Sequence, residues 1–236
     1  MMRRYGGLGI HGVGGIPLSS FGGMGQLAVP WYLAGGVAPL AAYTAKGAAS
    51  YAASLVNLVN PGTYDLTETN GAITWYTGSG WSFVAAAAKE LNTGIVPAVV
   101  GSQSPWTFFV QFANAANGTF MLFGNADGAA FDVYCIPNYY TRARYSNGSW
   151  KDNANLPRTA GNVAIAGPRA YYNGADEGVT LVAVSVDART IWLGAGNDGA
   201  AGYYPFTGDI YGMAIYSSIL TPTQIAQVSA AMTVFF

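Results

Sequence analysis

The sequence has little charge, one histidine and one cysteine, and each shortage excludes a kind of chemistry. Charged residues make up 9% of the 236 residues, against roughly 25% in an average soluble domain. Ten basic and eleven acidic residues nearly cancel, so we expect no clustered basic face of the kind that binds nucleic acid. With 51% apolar residues the chain is not of the disordered class, and its charge-poor surface favours coverage by neighbouring molecules.

The single histidine and single cysteine limit catalysis and metal binding. His11 lies in a glycine-rich stretch near the N-terminus, which excludes a Ser-His-Asp or Cys-His site within the later part of this chain. Cys135 alone can form neither an intrachain disulfide nor a Cys/His zinc site. The lack of a disulfide framework favours assembly in a reducing cytoplasm.

No stretch is apolar for long enough to predict a membrane span, which needs about 20 predominantly apolar residues. The most apolar early stretch, residues 27–43, is interrupted by two prolines and two glycines. Arg3 and Arg4 precede apolar sequence as in a signal peptide, but glycines break every apolar run after them. We therefore expect no membrane partner and no signal peptide.

Residues 1–40 differ in composition from the rest and predict an extended, glycine-rich N-terminal arm, followed by one domain over residues 41–236. Glycine at this density disfavours a helix, and the segment is too short for a core of its own. Termini are ordered only where something holds them, so we expect the arm to contact a neighbouring subunit, with a strap across its own domain as the alternative. The candidate assembly residues are Arg3, Arg4, Tyr5, Ile10, Ile16, Phe21 and Trp31.

After residue 41 the pattern is that of short β-strands separated by turns. Trp106, Phe108, Val110 and Phe112 alternate onto one face of a strand. Similar alternation marks residues 131–135 and 139–145, and residues 181–186 are apolar on both faces, as in a central strand. Asn-Gly dipeptides at residues 70, 117, 147 and 173 predict tight hairpin turns. Residues 48–57 are compatible with a short helix.

The C-terminal segment predicts a strand followed by a short helix. Ile210, Gly212, Ala214 and Tyr216 alternate along the strand. Thr221 and Gln224 then have the spacing of a capping box around Pro222. The helix that follows places apolar residues on one face, namely Ile225, Val228 and Met232.

This segment resembles the end of a concanavalin A-like jelly roll of the laminin-G-type lectin/glucanase superfamily. The matching positions are Phe206, Gly208, Ile210, Ile215, Tyr216, Ser217, Leu220, Thr221 and Ile225. Residues 80–83 with 91–94 resemble the family's early strand pair, and residues 170–174 resemble its strand that ends in an Asn-Gly hairpin. The resemblance therefore spans about residues 75–232. It implies an all-β, two-sheet jelly-roll sandwich with a short C-terminal helix. Residues 46–54 also resemble the lead-in to such domains in phage structural proteins.

The superfamily includes glucanases, but the acid pattern that their chemistry needs is missing. Glycoside hydrolysis uses two carboxyl groups about 5–9 Å apart. Asp65 and Glu68 are three residues apart, which predicts opposite strand faces, and Asp176 and Glu177 follow a hairpin glycine as solvated turn charges. We therefore expect no enzyme activity and no catalytic residues.

Calcium is the cofactor that related lectin domains would suggest, and its candidate ligands here are few. They are Asn125 with Asp127 and Asn197 with Asp198. Calcium takes six to eight oxygen ligands, and Asn-Gly and Asp-Gly turns explain these residues without a metal. We therefore expect no bound cofactor.

Aromatic residues near predicted loops are the candidate ligand or partner contacts, since tyrosine and tryptophan offer a rigid surface with a polar tip. They are Tyr139, Tyr140, Trp150, Tyr203 and Tyr204. From these features we expect a non-enzymatic structural protein of a virus or phage particle, assembled in the host cytoplasm, that contacts other copies of itself and other virion proteins through its arm. The alternatives are an extracellular carbohydrate-binding, lectin-like module, for which a glycan is the partner, and a subunit of an extracellular filament.

Overall fold

The structure is a computed structural model. It describes residues 29–87, 89–97, 106–116, 120–124, 132–136, 142–146, 151–154, 158–181, 189–197, 199 and 202–236. Within these residues, no helix is long and apolar enough to cross a membrane.

Short strands account for most of the regular structure, as the alternating apolar residues predict. In chain order they are β1 (Ala41–Thr44), β2 (Thr67–Thr69), β3 (Thr74–Tyr76), β4 (Gly80–Phe83), β5 (Glu90–Asn92), β6 (Thr107–Ala113), β7 (Phe120–Gly124), β8 (Asp132–Ile136), β9 (Arg142–Ser146), β10 (Lys151–Ala154), β11 (Gly161–Ala166), β12 (Arg169–Tyr172), β13 (Ala175–Thr180), β14 (Trp192–Leu193), β15 (Gly196–Asn197), β16 (Gly202–Tyr203) and β17 (Gly208–Tyr216). The helical segments are α1 (Tyr51–Leu55), α2 (Pro222–Phe235) and 3-10 turns at Trp31–Leu33 and Ala85–Ala87.

The strands form two antiparallel sheets. The first sheet has the order β13-β12-β11-β6-β17-β4-β3, and β1 pairs with the C-terminal half of β17. The second sheet has the order β10-β9-β8-β7-β14-β5-β2, and β15 and β16 form a separate hairpin. The predicted all-β sandwich with a short C-terminal helix is confirmed.

The core lies between the two sheets and follows the predicted alternation on β6. Phe108, Val110 and Phe112 face it and are fully buried, and the Phe108 ring lies 5.6 Å from that of Phe123 on β7. Each such side chain contributes about 1.5–3 kcal/mol on burial. The opposite face of β6 is buried as well, because Phe109 packs beneath helix α2.

Helix α2 covers the outer face of the first sheet. Ile225, Val228 and Met232, which the sequence places on one helix face, are all fully buried and pack with Phe109 and Tyr216 of the sheet. An amphipathic helix laid on a sheet in this way buries its apolar stripe. The part of the outer face that lies beneath α2 is therefore a second buried cluster.

A β-bulge at Tyr211 changes which side chains of β17 face the core. Ile210 pairs with Phe112 and Gly212 pairs with Gln111, so Tyr211 is an extra residue on its strand. Ile210 therefore faces the core between the sheets, whereas Ala214 faces α2. The simple alternation expected from Ile210 to Tyr216 is wrong at this point, because a bulge shifts the side-chain period.

The Asn-Gly dipeptides adopt the positive φ angles that the sequence predicts, but only one of the two described dipeptides forms a hairpin. Asn173 (φ 49°) and Gly174 (φ 80°) join β12 to β13. Asn70 (φ 63°) and Gly71 (φ 106°) instead carry the chain from β2 in the second sheet to β3 in the first. The dipeptides at residues 117 and 147 lie outside the described residues, as do residues 182–186 of the predicted central strand.

The start of α2 has the predicted capping box. The Thr221 hydroxyl accepts a hydrogen bond from the Gln224 amide (3.3 Å), and the Gln224 side chain accepts one from the Thr221 amide (2.9 Å). These bonds satisfy amide groups that have no partner within the helix.

Thr221→Ala is expected to lower the free energy of unfolding by about 1 kcal/mol, because it removes the side-chain oxygen that caps the helix. Urea denaturation measures the change. Thr223→Ala is the matched control: Thr223 is exposed in the same turn, and alanine is the better helix former. An equal loss in both variants would contradict the capping role.

Candidate functional site

The outer face of the second sheet carries a row of paired residues from four neighbouring strands. Register pairs Thr67 of β2 with Asn92 of β5, Asn92 with Trp192 of β14, and Trp192 with Gly124 of β7. Directly paired residues in antiparallel strands point to the same face. Leu193, the neighbour of Trp192, faces the core, so the row Thr67–Asn92–Trp192–Gly124 faces away from it. We call these four residues the polar row.

The hairpin β15–β16 lies over part of this face. A Cβ atom on Gly202 of β16 would come within 1.9 Å of the Glu90 carboxylate, and Glu90 shares a face with its partner Thr69. The Asn197 side chain of β15 donates to the carbonyl of Thr190, two residues before Trp192 (2.9 Å). Both contacts place the hairpin against the outer face near β5 and β14.

Trp192 differs from other tryptophans of the molecule in its hydrogen bonding. The indole N–H groups of Trp31, Trp75 and Trp81 donate to Thr44 Oγ1, the Ala45 carbonyl and Ser54 Oγ. Trp192 is 7% exposed, and its Nε1 is buried without an acceptor within the described part of the chain. A buried donor without a partner costs about 1–3 kcal/mol, so the Trp192 indole N–H is a position where a bound molecule could supply the missing acceptor.

Neutral hydrogen-bonding groups lie beside Trp192, and a buried carboxylate lies on the same face. Asn92 is half-buried, and its side-chain oxygen accepts from the Gly94 amide (2.8 Å), which fixes the orientation of its amide group. Thr67 is exposed at the β2 edge. Glu90 is fully buried, and one of its carboxylate oxygens accepts from the Asn70 side chain (3.2 Å). This set can donate to and accept from hydroxyl groups of a neutral ligand.

Of the predicted ligand aromatics, Tyr204 is the one whose side chain is described. Tyr139, Tyr140 and Trp150 lie outside the described residues, and Tyr203 belongs to β16. Tyr204 is 40% exposed, with a left-handed backbone (φ 49°) and its carbonyl accepting from the Met121 amide. A bulky residue in this conformation is uncommon and is held by its surroundings. The role of these aromatics stays a prediction.

The sequence did not single out Trp192, Asn92 or Thr67. Trp192 is flanked by Ile191 and Leu193, so a local pattern shows only an apolar run. The sequence feature that points to Trp192 is its spacing of two residues from Thr190. In a strand this spacing places both residues on the face opposite Ile191 and Leu193.

Of the predicted arm residues, Trp31 lies in the described part of the chain and is buried against its own domain. Its exposed fraction is 2%, its indole N–H donates to Thr44 Oγ1 (3.2 Å), and its ring lies 5.7 Å from that of Phe236. The other predicted arm residues, Arg3, Arg4, Tyr5, Ile10, Ile16 and Phe21, lie outside the described residues. Contact of the arm with a neighbouring chain stays a prediction.

The acidic residues considered for catalysis have structural partners. Asp65 accepts from the amides of Asn57 (2.8 Å) and Gly62 (3.1 Å). Glu68 accepts a hydrogen bond from the Tyr51 hydroxyl, and burial together with this bond raises the pKa of Tyr51, so the phenol stays a donor.

The second acidic pair lies on β13 after the Asn173-Gly174 hairpin. Glu177 forms an ion pair with Arg158 (2.5 Å), and its side chain is 9% exposed. Asp176 is more exposed and lies 3.8 Å from Arg169. The expectation of a solvated turn charge is therefore wrong for Glu177, because Arg158 compensates its burial.

The described residues contain no cluster of side chains that could bind a metal ion. No group of three or more His, Cys, Asp or Glu side chains there is placed to hold a metal. Asn125, Asp127 and Asp198, which were considered as candidate calcium ligands, lie outside those residues. Asn197 uses its side chain within the fold, since it donates to Thr190 and accepts from the Gly199 amide.

No protein-family model matches the chain, and no curated protein matches it in sequence. Solved structures do match. One is domain 4 of AbnA, a GH43 extracellular arabinanase from Geobacillus stearothermophilus in complex with arabinotriose, at 18% identity and a TM-score of 0.52, covering 80% of this chain and 97% of that domain. Another is a Trypanosoma rangeli sialidase, at 12% identity and a TM-score of 0.53, covering 82% of this chain and 33% of the sialidase.

These likenesses show the fold alone, a two-sheet β-sandwich of the jelly-roll kind, which agrees with the fold that the sequence resemblance implies. The chain spans nearly all of the arabinanase domain but a third of the sialidase. Neither structure lends support to the predicted role in a virus or phage particle, and the phage resemblance of residues 46–54 remains without support. Fold alone does not determine function.

Proposed function

We propose that this chain is a carbohydrate-binding module and that the polar row on the second sheet, centred on Trp192, is its binding surface. The observation that carries the proposal is the buried indole N–H of Trp192, which has no acceptor within the described residues. A sugar hydroxyl is an acceptor of the right size for this donor. This is the lectin-like alternative derived from the sequence, and it favours an extracellular location.

The chemistry around Trp192 suits a neutral saccharide. Sugars present many hydroxyl groups and apolar C–H faces, so their sites combine amide and hydroxyl side chains with an aromatic ring. Asn92 and Thr67 supply the polar groups, and Trp192 supplies the ring. The similarity to an arabinanase domain solved with arabinotriose supports the same class of ligand.

Because the Trp192 side chain is 7% exposed and the hairpin β15–β16 contacts Glu90 and Thr190 on the same face, we propose that access to the Trp192 donor involves movement of this hairpin. Each of its strands has two residues, and isolated two-stranded hairpins are only marginally stable. A saccharide would first contact the exposed Thr67 edge and then displace the hairpin from the indole. We therefore expect binding to include a conformational step that lowers the apparent affinity.

A glycan array that includes arabino-oligosaccharides and sialylated glycans tests the class of ligand, and calorimetry with the best hit tests the site. Trp192→Phe keeps an aromatic ring but removes the donor, and it is expected to weaken binding about five- to tenfold, the equivalent of one neutral hydrogen bond of about 1 kcal/mol.

Trp75→Phe is the matched control, because it removes an indole donor that serves the Ala45 carbonyl in the first sheet. Its glycan affinity should equal that of the unchanged protein. The proposed function fails if the array gives no saccharide above background. The proposed site fails if Trp192→Phe binds the hit as tightly as the control.

A further inference from the structure

Helix α2 exposes an apolar strip on its last two turns. Val234 is 89% exposed and Phe235 is 56% exposed, and Ala230 lies one turn before Val234 on the same side. None of the fourteen residues of α2 is charged. A surface helix ordinarily carries charged or polar residues toward solvent, so this strip has the composition of a surface that another segment covers.

The strip forms part of a groove that begins at the first described residue. The groove has a volume of about 560 Å³ and is lined by Val29, Trp31, Ala230, Ala231, Val234 and Phe235. Val29 is 62% exposed. The 28 residues that precede it are therefore attached to the chain at the lining of the groove.

The segment that precedes Val29 has a matching composition. Between Tyr5 and Ala45 the sequence contains no lysine, arginine, aspartate or glutamate. Leu27 is two residues before Val29, within about 7 Å of it, and the strip from Ala230 to Val234 extends about 6 Å along the helix. Gly25 lacks a side chain and permits a close approach of backbone to the alanines.

We propose that residues 21–28 lie in this groove of their own chain, with Leu27 packed against Ala230 and Val234. A directly linked segment has an effective concentration of about millimolar for short linkers, which exceeds that of a second molecule at micromolar concentration. Binding of the N-terminal arm across its own domain is therefore favoured over its contact with a neighbouring subunit. This proposal does not depend on glycan binding.

Disulfide trapping in the full chain tests the proposal. The variant Leu27→Cys/Ala230→Cys, with Cys135→Ser to remove the native thiol, is expected to form an intramolecular disulfide under mild oxidation, seen as a faster monomer band on a non-reducing gel. Leu27→Cys/Thr223→Cys is the control, because Thr223 is exposed on the same helix about 10 Å away. It should cross-link at least about fivefold more slowly, since disulfides need Cα atoms within about 7 Å.

Two further measurements separate the outcomes. Val234→Cys, at the most exposed position of the strip, serves as a second partner for Leu27→Cys and should cross-link as fast as Ala230→Cys. A dimeric disulfide whose rate rises with protein concentration would place a second copy in the groove and overturn the proposal. Equal rates for the strip and control pairs, or no disulfide with any pair, would overturn it as well.

Discussion

Gly194→Ala is expected to lower the free energy of unfolding by about 3–5 kcal/mol, a large part of the stability of an ordinary domain. Gly194 has a φ of 87°, which alanine adopts only with strain, and an added Cβ would lie 2.2 Å from Cε1 of Phe83. Phe83 is buried and packs on Phe206 with ring centres 6.3 Å apart. The phenyl ring therefore has no open space into which to move.

Gly47→Ala is the control that separates two contributions to the loss of stability in Gly194→Ala, the cost of a positive φ angle in alanine and the cost of the contact with Phe83. Gly47 has a similar φ of 80°, but an added Cβ would meet no atom within 4 Å. We expect this control to lose about 1 kcal/mol from the backbone alone. Urea denaturation measures both variants. A smaller side chain in Phe83→Leu should recover part of the loss in Gly194→Ala. If the two alanine variants lose the same free energy, the proposed contact with Phe83 is not the cause.

The position of Gly194 gives this prediction a functional meaning. It lies directly between β14, which carries Trp192, and the hairpin β15–β16. Its amide donates to the Leu122 carbonyl and its carbonyl accepts from the Phe206 amide. The turn that anchors the hairpin to the sandwich is therefore built from core contacts, whereas the hairpin itself lies on the outer face.

The sequence predicts the parts of this fold that depend on neighbouring residues. The alternation from Trp106 to Phe112 predicts the core face of β6, and the spacing of Thr221 and Gln224 predicts the capping box. Each of these signals arises from side chains within one strand or one helical turn. The jelly-roll resemblance adds the arrangement of the strands, which no local pattern contains.

The features that the sequence does not predict depend on contacts between distant segments. The bulge at Tyr211 exists because β17 pairs with β6, about a hundred residues earlier. The turn at Asn70-Gly71 has the positive φ angles typical of a hairpin turn, yet it joins two sheets, since its flanking strands pair with different partners. Local turn chemistry fixes the angles of a turn but not the partners of the strands on either side.

The candidate site likewise depends on contacts between segments that are distant in the sequence. The pairing of β2, β5 and β14 brings three residues into one row, namely Thr67, Asn92 and Trp192. Trp192 lies 100 residues after Asn92 in the chain, so no local pattern connects them. The burial of Glu90 depends in the same way on the hairpin that lies over it. A search for aromatic residues in loops finds Tyr204 but not Trp192, because Trp192 lies in a strand between two apolar neighbours.

Gly202→Ala is expected to lower the free energy of unfolding by about 1–3 kcal/mol and, at the same time, to strengthen glycan binding several-fold. An added Cβ at Gly202 would lie 1.9 Å from Oε1 of Glu90 and 3.1 Å from Cβ of Ala195. Glu90 is fully buried, so its carboxylate cannot turn into solvent while the hairpin stays in place. We expect the hairpin β15–β16 to move away from the sheet and to expose Trp192.

The gain in affinity follows from the conformational step proposed for binding. If the hairpin must leave Trp192 before a saccharide can reach the indole, a variant in which it is already displaced binds without that cost. Calorimetry with the best saccharide from the array measures this gain, and urea denaturation measures the loss of stability.

Two controls link both effects to the contact between Gly202 and Glu90. Gly78→Ala adds the same methyl group where φ is ordinary and no atom lies within 4 Å, so it should leave stability and affinity unchanged. In a Glu90→Ala background the added methyl group has room, and Gly202→Ala should cost much less than in the unchanged protein, because the two substitutions share one contact. An equal cost in both backgrounds would show that Glu90 does not support the hairpin. A loss of affinity in Gly202→Ala would show that the hairpin itself contributes to glycan binding instead of covering the site.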